Sequence, residues 1–422
     1  MKKILGILSI IIILSSCEDF LNIFSHAAVP PGAVTEKDLP ALRMGVYNAV
    51  QNGPGARAFI FFDILGGTLS TSTGNPRDLI YATLNPLNGY IASSWNGYFS
   101  ALYQVNNLID ITEHISPNIE LRNLAKGEAH YFRAYIYFSL ASRWGDVPII
   151  RKNTLDKVKR DPLNEVWDFI EEDLDIAISL LGTSTNYYYV SQNAAKALKA
   201  RCLLSAGKKE QAADLAETII TSGNYKLDAY SKIFRKILNT EIIFSFENIS
   251  TESSNNLGDL FYTYAHPNKG QYAYRPPQDV MDMYDANDNR KDISVTNVAG
   301  SNCINKYPSG QTGRDPIIIS RLAEMYLIAA EGKGRSAGLE RLNELRRFRG
   351  LSDVYPATDD AFIDAILLER KKELIAENFM YHDYVRTGKA IEVLGLLPHQ
   401  LVLPIPGKEL QLNPNLEPNP NY

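Results

Sequence analysis

The segment that decides the fold is residues 193–222, NAAKALKARCLLSAGKKEQAADLAETIITS. Small and apolar residues recur along it at the three- and four-residue spacing of one helix face, both before Gly207 and after it. Alanine side chains on these faces allow two helices to approach closely, and a glycine tolerates the backbone angles of a tight turn. The segment therefore predicts a helical hairpin that turns at Gly207.

Two segments nearer the C-terminus repeat this pattern. Residues 320–349 and residues 362–393 both place alanine, leucine and aromatic residues at helical spacing. A helix–turn–helix unit of about 34 residues is typical of the tetratricopeptide (TPR) repeat, and successive units stack to bury a shared core. The chain is therefore predicted to be mainly α, with a TPR-like helical-repeat scaffold.

The residues before the hairpin predict further helices around one long loop. Apolar faces at helical spacing begin near residues 36, 93, 121 and 162. The third of these helices is the strongest and ends at Trp144-Gly145-Asp146-Val147-Pro148, where glycine followed by proline stops a helix. Residues 66–94 are rich in Gly, Thr, Ser, Asn and Pro and are predicted to be loop. These elements define an N-terminal part, residues 37–222.

Residues 223–318 interrupt the helical pattern and form a predicted insert. Glu241 to Phe246 is strand-like, and Gly-, Asn-, Tyr- and Pro-rich sequence follows as far as Gly313. An insert of this length with short β-strands and mostly loop is expected to carry function, and its many aromatic residues indicate order. Residues 319–422 then form a C-terminal helical part.

The N-terminus has the three regions of an export signal. Met1-Lys2-Lys3 is positively charged, Ile4 to Leu14 is apolar, and Ser15-Ser16 supplies small residues before Cys17. The apolar stretch is too short for a bilayer-spanning helix, which needs about 20 residues. A cut before Cys17 would leave a thiol that can carry lipid, and several acyl chains together give stable anchoring. We therefore predict a lipoprotein signal peptide over 1–16 and a lipidated tether over 17–36.

Composition and motif spacing argue against several classes of function. The chain has a net charge of −5, and removing residues 1–16 takes away two lysines and no acids, so the mature charge is −7. A mildly acidic chain without a basic run is a poor nucleic-acid binder. The six histidines are scattered and pair with no nearby cysteine, and we find no nucleophile, phosphate-binding or dinucleotide motif. No metal, cofactor or catalytic residue is predicted.

Several short motifs follow one another in order along the chain. They are Cys17-Glu18-Asp19-Phe20-Leu21; Phe132-Arg133-Ala134-Tyr135 with the Trp144 to Pro148 motif; Ala194 to Gly207; Arg321 to Leu327; Leu342 to Arg346; Glu369 to Leu374; Asp383 to Arg386; and Leu403-Pro404-Ile405-Pro406 with Asn413 to Leu416. Together they resemble the SusD/RagB family of outer-membrane lipoproteins of Bacteroidetes. The resemblance covers nearly the whole chain. Among its departures, Asn378-Phe379-Met380 stands where the family usually has Gly-x-Arg. An asparagine can still adopt a left-handed turn there.

The resemblance implies a fold, a location and partners. It implies a SusD-like domain over 37–422 that binds a nutrient without catalysis and passes it to a SusC-like TonB-dependent outer-membrane transporter. In the family, acidic residues after the lipidated cysteine mark surface export, so Glu18 and Asp19 imply an outer-membrane anchor facing the extracellular side. The expected nutrient is a glycan or, as an alternative, a peptide in the manner of RagB-type proteins. The helical repeats would dock the transporter, while the insert and the 66–94 loop would face the ligand.

Aromatic residues with amide and guanidinium neighbours are the candidate ligand contacts. A sugar ring has an apolar face and a polar rim, so a glycan site combines stacking rings with hydrogen-bonding groups. The candidates are Tyr81 in the first long loop, Trp95 and Asn96 where that loop enters the next helix, and Tyr272, Tyr274, Arg275 and Gln278 in the insert. Packing of these residues onto the helical scaffold is the alternative for each of them, and Trp95 suits either role equally.

Three other interpretations are open. Glu369, Glu373 and Glu377 share one helix face, so a pair of them could serve glycoside hydrolysis, although ion pairing with Arg370, Arg386 and neighbouring helices is favoured. Residues 285–289 offer oxygen ligands as a calcium loop might, but they lack its glycine and its later acid, which favours a turn. A TPR adaptor that binds peptide tails would explain the helical pairs but would leave Cys17 and the aromatic insert without a role.

Overall fold

The computed structural model describes residues 34–71, 74, 76–115, 118–184 and 186–422. The predicted signal peptide, Cys17 and residues 18–33 of the predicted tether lie outside the described residues. Within the described ranges, no helix is long and apolar enough to cross a membrane.

The first half of the chain is helical. Its helices are α1 (Leu39–Asn52), α2 (Phe61–Leu65), α3 (Pro76–Thr83), α4 (Gly89–His114), α5 (Ile119–Trp144), α6 (Leu163–Leu180), α7 (Gln192–Ser205) and α8 (Lys209–Ile220), with strand β1 (Ser70–Thr71) between α2 and α3. Single-turn 3-10 helices cover Glu36–Asp38 and Ala56–Phe59.

Short elements follow, and a helical C-terminal part closes the chain. The elements are α9 (Tyr230–Phe234), β2 (Ile242–Phe246), α10 (Leu257–Phe261), β3 (Tyr274–Arg275), α11 (Gln278–Asp282), α12 (Lys291–Ser294), β4 (Val295–Val298), β5 (Ser301–Ile304) and β6 (Ile317–Arg321). The last helices are α13 (Leu322–Phe348), α14 (Asp359–Leu374), α15 (Met380–Arg386), α16 (Ala390–Leu394) and α17 (Gly407–Leu412), with 3-10 turns at Gly310–Thr312 and Pro398–Leu401. The prediction of a mainly α fold with short strands is confirmed.

The long helices form one continuous stack. Neighbours in the stack are α4, α5, α6, α7, α8, α13 and α14, each packed against the next. Gly207 joins α7 to α8 at a φ of 79°, and Gly334 breaks α13 into two arms at a φ of 71°. Both angles lie in the left-handed region that glycine adopts without a Cβ clash. The predicted hairpins at 193–222 and 320–349 are therefore present.

The prediction that residues 66–94 are all loop is wrong. Helix α3 lies inside this range, and α4 begins at Gly89 rather than near Ser93. The side chain of Asn88 accepts hydrogen bonds from the backbone of Tyr90 and Ile91, so it caps α4 earlier than the apolar spacing indicated. Asn88 and Gly89, residue types that indicate a loop in the sequence, are here the cap and the first residue of α4.

Three antiparallel strand pairs accompany the helices in the described residues. Strand β2 pairs with β6, with Ile242 opposite Arg321 and Phe246 opposite Ile317, and every residue of both strands is buried. Strands β4 and β5 form a hairpin. Strand β1 pairs with β3, so a strand before α3 joins one more than 200 residues later in the chain.

The motifs at Trp144 and at the C-terminus pack together. The Trp144 indole N–H donates to the carbonyl of Pro404 at 3.1 Å, and the side chain of Asn419 donates to the Trp144 carbonyl at 2.9 Å. The carboxylate of Asp146 accepts from the backbone N–H of Leu163 at 2.8 Å, at the start of α6.

Asn378 has a φ of 71°, so the expected left-handed turn at this position is present. These motifs therefore form the scaffold.

Candidate functional site

Strand β3 brings the central insert against the segment that precedes α3. Thr71 lies opposite Tyr274, and Ser70 lies opposite Arg275. Two parts of the chain that were each expected to face a ligand, the 66–94 segment and the insert, are therefore joined side by side. A ligand bound at this junction would contact both.

Arg57 lies at the centre of this junction. Its Nε donates a hydrogen bond to the Tyr274 hydroxyl at 3.0 Å, and its guanidinium carbon lies 4.3 Å from the centroid of the Tyr90 ring. Tyr274 is buried, and this burial raises the pKa of its hydroxyl, although the Arg57 guanidinium opposes the shift. Tyr90 is 45% exposed. One part of its ring therefore contacts a cation while the rest is open to solvent.

A chain of hydrogen bonds extends the junction across the insert. The Tyr272 hydroxyl donates to the backbone carbonyl of Asn302 at 3.2 Å, and the Asn302 amide donates to the side-chain oxygen of Gln278 at 3.2 Å. Gln278 is exposed and also donates to Asp282 at 2.9 Å. Amide groups at the surface, next to partly exposed rings, are the polar partners that a sugar rim requires.

We call this surface the tyrosine–arginine face. It consists of Arg57, Tyr90, Tyr272, Tyr274, Arg275, Gln278 and Asn302. Four of the predicted ligand residues, Tyr272, Tyr274, Arg275 and Gln278, belong to it. Tyr274 contributes by holding Arg57 rather than by exposing its ring, because it is only 4% exposed.

Trp95 is removed from the candidate ligand residues by its burial. It is 3% exposed, and its ring packs edge-on against Trp144 with the centroids 5.1 Å apart. Its role is therefore packing, one of the two roles that the sequence allowed. The neighbouring Asn96 is exposed on α4, and Tyr81 is exposed on α3, where its hydroxyl donates to the carbonyl of Gly395 at 3.2 Å. Neither Asn96 nor Tyr81 belongs to the tyrosine–arginine face.

Arg57 and Tyr90 are not among the ligand residues that the sequence predicts. Tyr90 lies within the 66–94 range that was expected to face the ligand, so its position and aromatic character were a usable signal. Arg57 has no comparable signal, because its role depends on stacking against a residue that follows it by 33 positions.

Glu369 and Glu373 lie on α14, but this helix ends at Leu374 and Glu377 lies in the turn after it, so the three glutamates do not share one helix face as expected. All three are buried and paired with cations. Glu369 and Glu373 both accept hydrogen bonds from Arg290, at 2.6 and 2.7 Å, and Glu377 accepts from Lys306 at 2.6 Å. Burial raises the pKa of Glu373, but Arg349, Arg321 and Arg290 outweigh it and hold this pKa well below its usual value. Arg321 and Lys306 likewise lower the pKa of Glu377 against the effect of burial. Glu373 and Glu377 are therefore ionised, and neither is a raised-pKa acid of the kind that glycoside hydrolysis needs.

The expected partners of these glutamates were partly wrong. Arg370 and Arg386 bind Asp383, and Arg386 also binds Glu331. The cations that reach these three carboxylates are Arg290 and Lys306 of the insert, Arg321 at the end of β6, Arg346 of α13, and Arg349 just after α13. Long-range packing brings these elements together, so spacing along one helix could not identify them.

The 285–289 segment uses its carboxylates for ion pairs. Asp288 accepts from Arg290 at 2.7 Å, and Asp285 accepts from Lys372 at 2.7 Å. Among the residues that the structure describes, no group of three or more His, Cys, Asp and Glu side chains could hold a metal ion. This segment is a turn that joins the insert to α14.

Two family models match the chain over separate stretches. The first is described as starch-binding associating with outer membrane (SusD-like) and matches residues 19–204. The second is the SusD family model (SusD_RagB), which matches residues 298–398. Together they cover most of the helical N-terminal part and most of the C-terminal part.

Relatives from Formosa agariphila align over most of their length. SusD-like protein P38 is 25% identical over 97% of this chain and 96% of its own length. SusD-like protein P2 is 25% identical over 83% of this chain and 84% of its own length.

Solved structures share the fold. A SusD superfamily protein from Bacteroides thetaiotaomicron is 24% identical, with a TM-score of 0.80 over 92% of this chain and 100% of that chain. Surface glycan-binding protein A from Bacteroides fluxus is 21% identical, with a TM-score of 0.79 over 92% of this chain and 100% of that chain. A laminarin-binding SusD-like protein is 22% identical, with the same TM-score and the same coverage.

Proposed function

Because the chain belongs to the SusD/RagB family, we propose that it is a lipid-anchored cell-surface protein that binds a nutrient glycan. It then delivers this glycan, chemically unchanged, to a SusC-like TonB-dependent transporter in the outer membrane. Cys17 carries the lipid, and Glu18-Asp19 directs the protein to the extracellular side. The description of the first family model, which includes association with the outer membrane, supports this location.

The observation that carries the ligand assignment is the half-exposed ring of Tyr90 against Arg57. Stacked aromatic groups contribute about 0.5–1.5 kcal/mol beyond the area they bury, and a sugar ring offers an apolar face to such a surface. Arg57 and the Tyr274 hydroxyl hold the position of the ring, so little ordering remains when a ligand binds. Asn302 and Gln278 supply amide groups for sugar hydroxyls at the same face.

Two structural relatives favour a glycan over a peptide as the ligand class. One is named for glycan binding and another for laminarin binding. The role of the buried Glu369, Glu373 and Glu377 as ion-pair partners supports binding without hydrolysis.

A glycan array tests the ligand. The lipoprotein purified in detergent should bind one or more printed oligosaccharides, and Tyr90→Ala should weaken that binding. Tyr355→Ala is the matched control, because Tyr355 is an exposed tyrosine outside the tyrosine–arginine face. An array that shows no glycan binding by the parent would overturn the proposal.

A pull-down tests the partner. The tagged lipoprotein, recovered from native outer membranes in mild detergent, should bring a TonB-dependent barrel protein with it. Recovery of the lipoprotein without any such barrel would contradict the delivery role, whatever the array shows.

A further inference from the structure

A groove runs along the exposed side of α1. Its main cleft, of about 640 Å³, lies between α1, the start of α5 and residues 186–190. This volume lies within the range of about 300–1,000 Å³ that is common for ligand pockets. A smaller cleft of about 80 Å³ adjoins it, and Met44 and Tyr189 line both. The two clefts share no residue with the tyrosine–arginine face.

The groove has the length of a short extended chain. The α1 residues along it run from Pro40 to Gln51. At a rise of about 1.5 Å per residue, this stretch of helix is about 16 Å long. An extended peptide advances about 3.3 Å per residue, so about five residues would span the groove.

Two exposed apolar side chains lie where the clefts meet. Tyr189 is 41% exposed and Met44 is 39% exposed. The Tyr189 ring packs edge-on against Tyr47, with the centroids 6.0 Å apart, and the Tyr47 hydroxyl accepts a hydrogen bond from the backbone of Val190 at 2.8 Å. This support places the Tyr189 ring before any ligand arrives, which reduces the entropy lost on binding.

The groove is acidic. Arg43 and Glu128 form an ion pair at its base, with Arg43 Nε 2.6 Å from the Glu128 carboxylate, and Tyr47 donates to the same carboxylate at 2.8 Å. The other charged residues that line the two clefts are Glu120, Glu247 and Glu252, all exposed. Four carboxylates and one guanidinium leave the lining with a net charge of −3. Complementary charge selects for cationic ligands and against acidic ones.

We propose that this groove binds an extended, cationic peptide segment of a partner protein. An apolar side chain of the peptide packs against Met44 and Tyr189, and flanking lysine or arginine residues lie beside Glu120, Glu247 and Glu252. A sulfated or uronic glycan would be repelled by these carboxylates. The proposal does not depend on the glycan site.

Selection from a random heptapeptide library displayed on phage tests the class of ligand. Peptides that bind the immobilised full-length protein should be enriched in lysine and arginine around one apolar residue. Tyr189→Ala should weaken binding of the most enriched peptide about tenfold, as loss of a central aromatic contact does. Tyr355→Ala should leave it unchanged. The proposal would be overturned if no peptide were enriched, or if the enriched peptides lacked basic residues. It would also be overturned if Tyr189→Ala left peptide binding unchanged.

Charge reversal tests the electrostatic part. In the double variant Glu247→Lys with Glu252→Lys, the same peptide should bind several-fold more weakly, whereas Glu392→Lys, an exposed position outside the groove, should have no effect. Parent binding should weaken as salt rises from about 0.05 to about 0.5 M, because exposed charges are screened. Salt-independent binding would contradict the proposed charge pairing.

The glycan array separates this proposal from the glycan site. If Tyr189→Ala abolished glycan binding while Tyr90→Ala preserved it, the groove would be a saccharide site and the peptide proposal would fail. Loss of glycan binding in Tyr90→Ala, with unchanged peptide binding, is the expected result.

Discussion

The guanidinium group of Arg57 lies against the ring of Tyr90, 4.3 Å from its centroid, while its Nε donates to the Tyr274 hydroxyl. The pair joins the turn after α1 to the first turn of α4. Because Tyr90 is half-exposed and Tyr274 is buried, the arrangement supports one open ring from beneath.

The hydroxyl of Tyr274 should matter for binding through Arg57. Tyr274→Phe keeps the buried ring but removes the 3.0 Å hydrogen bond, which involves a charged donor. We expect glycan affinity to fall about threefold, with a far-ultraviolet circular dichroism spectrum like that of the parent. Tyr103→Phe, at an exposed tyrosine of α4, is the control. Equal affinity of Tyr274→Phe and the parent would show that the hydrogen bond does not position Arg57.

The buried ion pairs of α14 should dominate the stability of the C-terminal part. Glu373→Gln leaves Arg290, Arg321 and Arg349 with one carboxylate fewer in a buried cluster. Breaking a buried pair in this way costs about 3–5 kcal/mol. Urea unfolding followed by tryptophan fluorescence measures the loss.

The matched control for this change is Glu340→Gln. Glu340 pairs with Arg347 at the surface, so its loss should cost less than about 1 kcal/mol. Similar unfolding midpoints for Glu373→Gln and Glu340→Gln would contradict the structural role assigned to the cluster.

Acid should destabilise the protein partly through His382. Burial, and then the nearby Arg386, lower the pKa of His382 to about 3. Below pH 6.5 the imidazole of His382 is therefore protonated in the unfolded state but stays neutral in the folded state. The contribution of His382 to the free energy of unfolding is lost as pH falls from about 6.5 towards 3. Between pH 7 and pH 5, the free energy of unfolding should fall by about 1–2 kcal/mol more in the parent than in His382→Gln.

Asp63 changes the free energy of unfolding in the opposite direction as pH falls. The parent must therefore be compared with the His382→Gln variant. Burial raises the pKa of Asp63 to about 6, so its folded form takes up a proton before its unfolded form does. This uptake stabilises the folded state as pH falls through 6. In the parent, the pH dependence of the free energy of unfolding is therefore the sum of a destabilising contribution from His382 and a stabilising one from Asp63. If the parent and His382→Gln showed the same dependence on pH, His382 would not be the source of the acid sensitivity.

Much of the scaffold could be predicted from local sequence. The alanine spacing around Gly207 predicts a helical pair because small side chains and a left-handed glycine are both local requirements. Residues 66–94 were harder, because glycine and asparagine indicate a loop equally well when they begin a helix. Asn88 decides between these outcomes through its hydrogen bonds to the first turn of α4.

The candidate site could be predicted only in part. Aromatic and amide residues of the insert indicated Tyr272, Tyr274, Arg275 and Gln278, and pairing of β1 with β3 places them beside the 66–94 segment. The burial of Trp95 depends on its contact with Trp144, which lies on a different helix. The sequence alone therefore did not decide whether Trp95 packs in the core or binds a ligand. The role of Arg57 depends on its stacking against Tyr90, a contact between distant parts of the chain that sequence spacing does not predict.

The most direct test of the proposed function is isothermal titration calorimetry with an oligosaccharide that the glycan array identifies. The titration compares the parent, Tyr90→Ala and Tyr355→Ala. We expect Tyr90→Ala to bind about tenfold more weakly than the parent, because the ring supplies a stacking contact, and Tyr355→Ala to match the parent. Equal affinities of all three proteins for the oligosaccharide would contradict the assignment of the glycan site to the tyrosine–arginine face.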